Sequence, residues 1–212
     1  GILLVLFLMS VMAGRVAPMF TANGTNTSKT VQIIWLDKVT NGSLAVVMLS
    51  LLLEPVLGFS ALFFGGLLII AGILQTIRWL RWRPWITLSV PLLWSIHGAM
   101  KFISFGLVVL GISYLIPEVP SNHVWHLLTV GGMGGLILAM ISRVSLGHTG
   151  RPLQPPKAMT AAYVLISLAA IIRAFGPWGY PEKTLLFIDI SGAFWLAAFL
   201  IFVVTYAPML MS

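Results

Sequence analysis

The chain has 212 residues, 59% of them hydrophobic and 8% charged, with a mean hydropathy of +1.03 and no cysteine. A water-soluble domain of this length needs far more polar surface, so that class is excluded, as are disulfides, iron–sulfur clusters and thiolate-held metal. The formal charge of +7 is dispersed along the chain rather than gathered in one basic region, which argues against a nucleic-acid partner.

In chain order, apolar windows fall at 1–13, 43–58, 60–80, 90–115, 123–144, 160–176 and 184–209. A crossing helix takes about 20 residues. The first window is too short to cross and lacks the basic leader of a signal peptide, so it is expected to be the tail of a truncated helix. Glu54, Pro55 and Gly58 predict a tight turn between the second and third windows. Proline-rich connectors separate the later ones: Pro84 and Pro91, Pro117 and Pro120, Pro152, Pro155 and Pro156, then Pro177 and Pro181. No strand pattern and no extended repeat is present. The expected fold is a single all-α domain over 1–212, a polytopic membrane helical bundle of six full transmembrane helices plus a truncated first one. Helices alone satisfy their backbone polar groups internally in lipid.

Alternation of sides sorts the charges. One side receives Arg15, Lys29, Lys38, Arg78, Arg81, Arg83, Arg143, Arg151 and Lys157; the other receives Glu54, Glu118 and Glu182 with only Arg173 and Lys183 as bases. The positive-inside rule places the basic side in the cytoplasm. The sequons at Asn23, Asn26 and Asn41 then read as chance matches in a polar loop.

Three of the four histidines bracket the fifth window. Ionisable groups in or beside hydrocarbon are costly and mark function, and histidine is a common ligand of haem and copper. His97 lies in the fourth window, and at 3.6 residues per turn it shares a face with Lys101, Ser104 and Val108. That stripe suits a ligand or a proton path, and equally a helix–helix hydrogen bond. Lys101 is expected to be paired or neutral, its amine near a carboxylate, carbonyl, cofactor group or wet cavity. His126 shares a face with Thr129, Met133 and Met140, a suitable wall for a flat cofactor, while Gly131 and Gly135 point to a packing surface opposite. Ordinary core packing explains the same face. His123 reads as a rim residue. His148 lies in a basic turn as a helix C-cap, or joins Arg143 and Arg151 to hold an anionic group such as a haem propionate. His126 and His148 are 22 residues apart, roughly 33 Å along a helix at 1.5 Å per residue, so they cannot share one site.

These segments also carry a family resemblance. Trp125-His126-Leu127-Leu128-Thr129-Val130-Gly131-Gly132, and Ser142-Arg143-Val144-Ser145-Leu146-Gly147-His148-Thr149-Gly150-Arg151-Pro152-Leu153, resemble elements of the NnrS family. Gly14-Arg15-Val16-Ala17-Pro18-Met19-Phe20-Thr21 is similar to its Gly-Arg-x-x-Pro-x-Phe-Thr element, and Pro91-Leu92-Leu93-Trp94-Ser95-Ile96-His97 to its Pro-Leu-Leu-Trp…His segment. Ala162-Tyr163 and Tyr206-Ala207-Pro208 fall where later helices of the family carry similar residues. The resemblance covers essentially the whole chain. It implies a bacterial cytoplasmic (inner) membrane protein with haem, of b type, and copper, tied to nitric oxide stress and denitrification. Family members have about twelve spans, so the chain resembles the C-terminal part, with the missing N-terminal half as its partner. Carried over residue by residue, the metal ligands are His97, His126 and His148, and the cofactor-binding arginines are Arg15, Arg143 and Arg151. His123 and Lys101 fall on no motif position.

Three functions compete on this reading. The first is a haem- and copper-binding protein that takes nitric oxide or another small gas ligand; nothing in the sequence shows turnover. The second is a proton-coupled small-molecule transporter using His97, Lys101, Asp189 and Glu54. The third is a structural or quinol-docking membrane subunit.

Overall fold

A computed structural model describes residues 1–211. Seven helical spans are long and apolar enough to cross a membrane, and no strand occurs among the described residues. The chain is an all-α, multi-pass membrane protein. The helices are α1 (Ile2–Thr25), α2 (Ile34–Leu57), α3 (Ala61–Arg81), α4 (Pro91–Leu115), α5 (Ser121–His126), α6 (Gly135–His148), α7 (Lys157–Gly179) and α8 (Thr184–Leu210). Helix α5, a π-helical segment over Leu127–Gly134 and α6 together make the fifth span.

The first window runs further than expected. It opens a 24-residue helix that continues through Gly14, Arg15 and Pro18 to Thr25. Arg15 does not stop it because its side chain is exposed, and Pro18 is buried within the helix. The helix ends where Asn26 adopts a left-handed conformation (φ 53°) and its N–H bonds Ala22 O. Helix α2 starts at Ile34, nine residues ahead of the apolar window, with Asp37 in its first turn where the helix dipole favours an anion. Asn23 and Asn41 are therefore helical rather than in a loop. The turn expected after Glu54 is present: Gly58 takes φ 59° and donates to Glu54 O at 2.9 Å. Ser60 then caps α3 by accepting from Phe63 N at 3.2 Å.

Glycines set the closest helix contact. A Cβ at Gly65 would lie 2.8 Å from Gly111 O, and one at Gly72 would lie 2.8 Å from Ser104 O. Helices α3 and α4 thus meet backbone to backbone, as small residues allow in membranes. Gly131 and Gly132 face Phe102 and Ile103 of α4, Gly135 faces Ala99, and Gly134 faces Ile166 of α7. The glycines of the fifth span therefore serve two neighbours, not the single face expected. The π-helical turns, wider than 3.6 residues, shift the register on which that expectation rested.

The fifth span is the centre of the bundle, with 56% of its most apolar window buried against 11% for the last span. Helix α8 is apolar all round and buries only Ser191, Ala198 and Tyr206, a narrow seam. Met133 and Met140 pack against the main core, so the methionine face is core packing.

Candidate functional site

Pro91 starts α4 at its first helical position, where a missing N–H costs nothing. Six residues on, about 9 Å along the axis, His97 points into the bundle and is 3% exposed. Its Nε2 lies 2.8 Å from Thr21 Oγ1 of α1. Its Nδ1 is buried with no hydrogen-bond partner. The Trp82 indole lies 6.4 Å away, centroid to centroid, tilted by 58°. In the tautomer where Nε2–H donates to Thr21, Nδ1 carries a lone pair. This is how a metal-ligating imidazole is held, by a partner on its other nitrogen.

The element Gly14–Thr21 is the hub of the family-like segments. Phe20 carries the Arg143 guanidinium 3.7 Å above its ring, the adjacent Thr21 meets His97, and Gly14 leaves room for Arg78 Nη1, 3.1 Å from where a Cβ would sit. Ser142, next to Arg143, is buried and donates to Leu138 O at 2.7 Å. It lies beside the phenol groups of both Tyr163 and Tyr206, which are fully buried. Arg143 also lines a groove of about 490 Å³ with Asn23, Gly24, Leu93 and the segment from Pro152 to Pro155.

The remaining expected site residues are not gathered there. His126 is half-buried where α5 gives way to the π-helical segment, near the opposite end of the bundle from His97. Its neighbours are His123 and Arg173 of α7, and Arg173 acts electrostatically on both imidazoles. One Arg173 nitrogen, Nη1, is buried without a partner. His148 is exposed at the last residue of α6, and Arg151 is exposed just beyond it. Neither lines the groove with Arg143. Arg15 is exposed on α1 and lines cavities that exclude Arg143. Among the described residues no three His, Cys, Asp or Glu side chains form a metal-binding group.

Lys101 meets no protein partner among the described residues. Its side chain is exposed, with no hydrogen bond or ion pair among the described residues, although His97 one turn away is buried. The polar stripe fails because successive i, i+4 positions drift around the helix, and the drift carries Lys101 out of the interior. Glu54 and Asp189 are also exposed.

One group escaped the sequence reading. Arg78 is 2% exposed and sits between α1, α2 and α3. Its Nη2 donates to Ser10 Oγ (2.6 Å), Ser10 O (3.0 Å) and Gln75 Oε1 (2.7 Å), and its Nη1 to Asn41 Oδ1 (3.1 Å). Asp37 Oδ1 is 3.6 Å from Nη1. The guanidinium stacks 5.3 Å from the Trp82 ring centroid. In the sequence Arg78 looks like one more cation at a helix end. The available signal was Gln75, a polar residue three positions earlier on an otherwise apolar helix.

No curated protein and no solved structure matches the chain. The family model described as "NnrS protein" matches residues 1–212, the whole of it. With its family-like elements meeting on α1, the chain belongs to the NnrS family.

Proposed function

We propose that this protein binds haem, of b type, and copper within a bacterial cytoplasmic membrane and takes nitric oxide or a similar small gas ligand there, in nitric oxide resistance or denitrification. The observation that carries the reading is His97, an interior imidazole with one nitrogen held by Thr21 and the other buried and unbonded. An unsatisfied buried nitrogen costs about 1–3 kcal/mol, and coordination by a metal removes that penalty. Neutral imidazole suits both haem iron and copper. His97 supplies one ligand near the basic end. His126 supplies one near the other end, where the Arg173 guanidinium disfavours a bare metal cation and favours one carrying an anionic ligand. Arg143, over Phe20 and beside the groove, is placed to pair with an anionic group of the cofactor. His148 and Arg151 take no part on this reading.

The test is an optical spectrum, oxidised and reduced, with metal analysis of the full-length protein. His97→Ala and His126→Ala should each lower bound haem or copper, while His123→Ala keeps both. A colourless wild-type protein without copper, or full metal content in both alanine variants, would overturn the assignment.

A further inference from the structure

Two adjoining cavities open between α1, the 29–33 segment, α2 and α3, with volumes of about 30 and 180 Å³ and shared walls at Gly14, Arg15, Gln32, Asp37 and Arg78. Arg15, Lys29, Arg78 and Arg81 line the smaller one against a single carboxylate, Asp37. That carboxylate is already committed: its Oδ1 faces Arg78 and its Oδ2 accepts from Gln32 Nε2 at 2.8 Å. Among the described residues Arg15, Lys29 and Arg81 have no carboxylate partner, the Arg78–Asp37 contact being the one ion pair. Arg78 is buried, and its Nε has no acceptor. The wall is built rather than incidental. Arg81 Nη2 donates to Val31 O at 3.3 Å, holding the 29–33 segment over the end of α3, and α2 begins at the rim with Ile33, Ile34 and Leu36. The first N–H groups of a helix favour anions.

We infer that this cavity is an oxyanion site of the phosphate class, taking inorganic phosphate or the phosphate of an anionic lipid headgroup. Three unpaired cations and a helix start in a partly enclosed space focus positive potential. Two guanidinium groups without a carboxylate partner, those of Arg15 and Arg81, favour oxyanions over halide, because planar forks donate in pairs. The cavity lies at the basic end, where headgroups also reach. The inference is independent of metal binding. Only the Trp82 indole, which lines the smaller cavity and faces His97, lies common to both regions.

The experiment uses the full-length protein in phosphatidylcholine nanodiscs, titrated with inorganic phosphate at constant ionic strength set by chloride. A saturable rise in melting temperature is expected. In the Arg15→Gln/Lys29→Gln variant, both of whose altered side chains are exposed, the apparent Kd should rise at least tenfold with the phosphate-free melting temperature unchanged. Arg83→Gln/Lys157→Gln, which alters two cations outside the cavity, should titrate as wild type. In discs containing phosphatidylglycerol, native mass spectrometry should show one retained phospholipid, lost in the Arg15/Lys29 variant, if the headgroup is the source. No effect of phosphate beyond chloride together with no retained lipid overturns the site. So does binding to the Arg15/Lys29 variant that equals wild type.

Discussion

Thr21 determines what His97 can do. Its hydroxyl is the hydrogen-bond partner of the imidazole among the described residues and holds the ring's orientation. Partners of this kind alter metal affinity by about 10–100-fold. Thr21→Val keeps the shape and removes the oxygen, so metal or haem affinity should fall by about that factor while the helices still assemble. Thr21→Ser should retain wild-type affinity. Equal affinity in the valine and serine variants, read by metal titration of the purified full-length protein, would show that His97 needs no support or binds nothing. His97 was legible in the sequence because a histidine in an apolar helix demands a partner. Thr21 was legible only as part of a motif, since no spacing rule links residues 76 positions apart. Arg78 was hidden for a different reason: a cation near a helix end is ordinarily solvated, and only tertiary packing brings Ser10 and Asn41 to it, Gln75 lying one turn away on the same helix.

The helices divide into contacts that need glycine and surfaces that do not. Gly72 and Gly66 share α3 yet differ in surroundings: a Cβ at Gly72 would sit 2.6 Å from Val108 Cγ2 and 2.8 Å from Ser104 O, whereas one at Gly66 meets nothing within 4 Å. Gly72→Ala should destabilise by about 1–3 kcal/mol, the usual range for overpacking. Gly66→Ala should stabilise by about 0.5–1 kcal/mol through reduced chain entropy. Melting temperatures in one detergent test the pair, and a similar fall in both would mean that the α3–α4 contact is not as close as described. The sequence marked Gly131 and Gly135 as a packing face but not Gly65, Gly72 or Gly111. Wide spacing hides an interface, and the π-helical segment breaks the periodicity that the fifth span was read with. Lys101 follows the same logic in reverse. Its exposure on α4 would carry about 2.5–3.5 kcal/mol of insertion penalty if that face met lipid at a helix centre.

At the scale of the whole molecule, the charges that orient the chain are fewer than a count of basic residues suggests. Arg78 is buried in a hydrogen-bonded network and Arg143 is half-buried over Phe20, so neither is free to act at the membrane surface. Arg15, Lys29, Lys38, Arg81, Arg83, Arg151 and Lys157 remain on the basic side, against Arg173 and Lys183 opposite. By the positive-inside rule that excess predicts a cytoplasmic basic end. Reporter fusions after Arg83 and after Glu118 should therefore give cytoplasmic and non-cytoplasmic signals respectively. Arg78 separates orientation from stability. Arg78→Gln should leave both reporter signals unchanged yet lower stability by about 1–3 kcal/mol, the loss expected when buried hydrogen-bond partners are left without their donor. The loss is large because Ser10, Gln75 and Asn41 give up their shared donor along with Asp37. If Arg78→Gln instead inverts the fusions and leaves the melting temperature unaltered, Arg78 acts as a surface charge and the network between α1, α2 and α3 does not hold the bundle together.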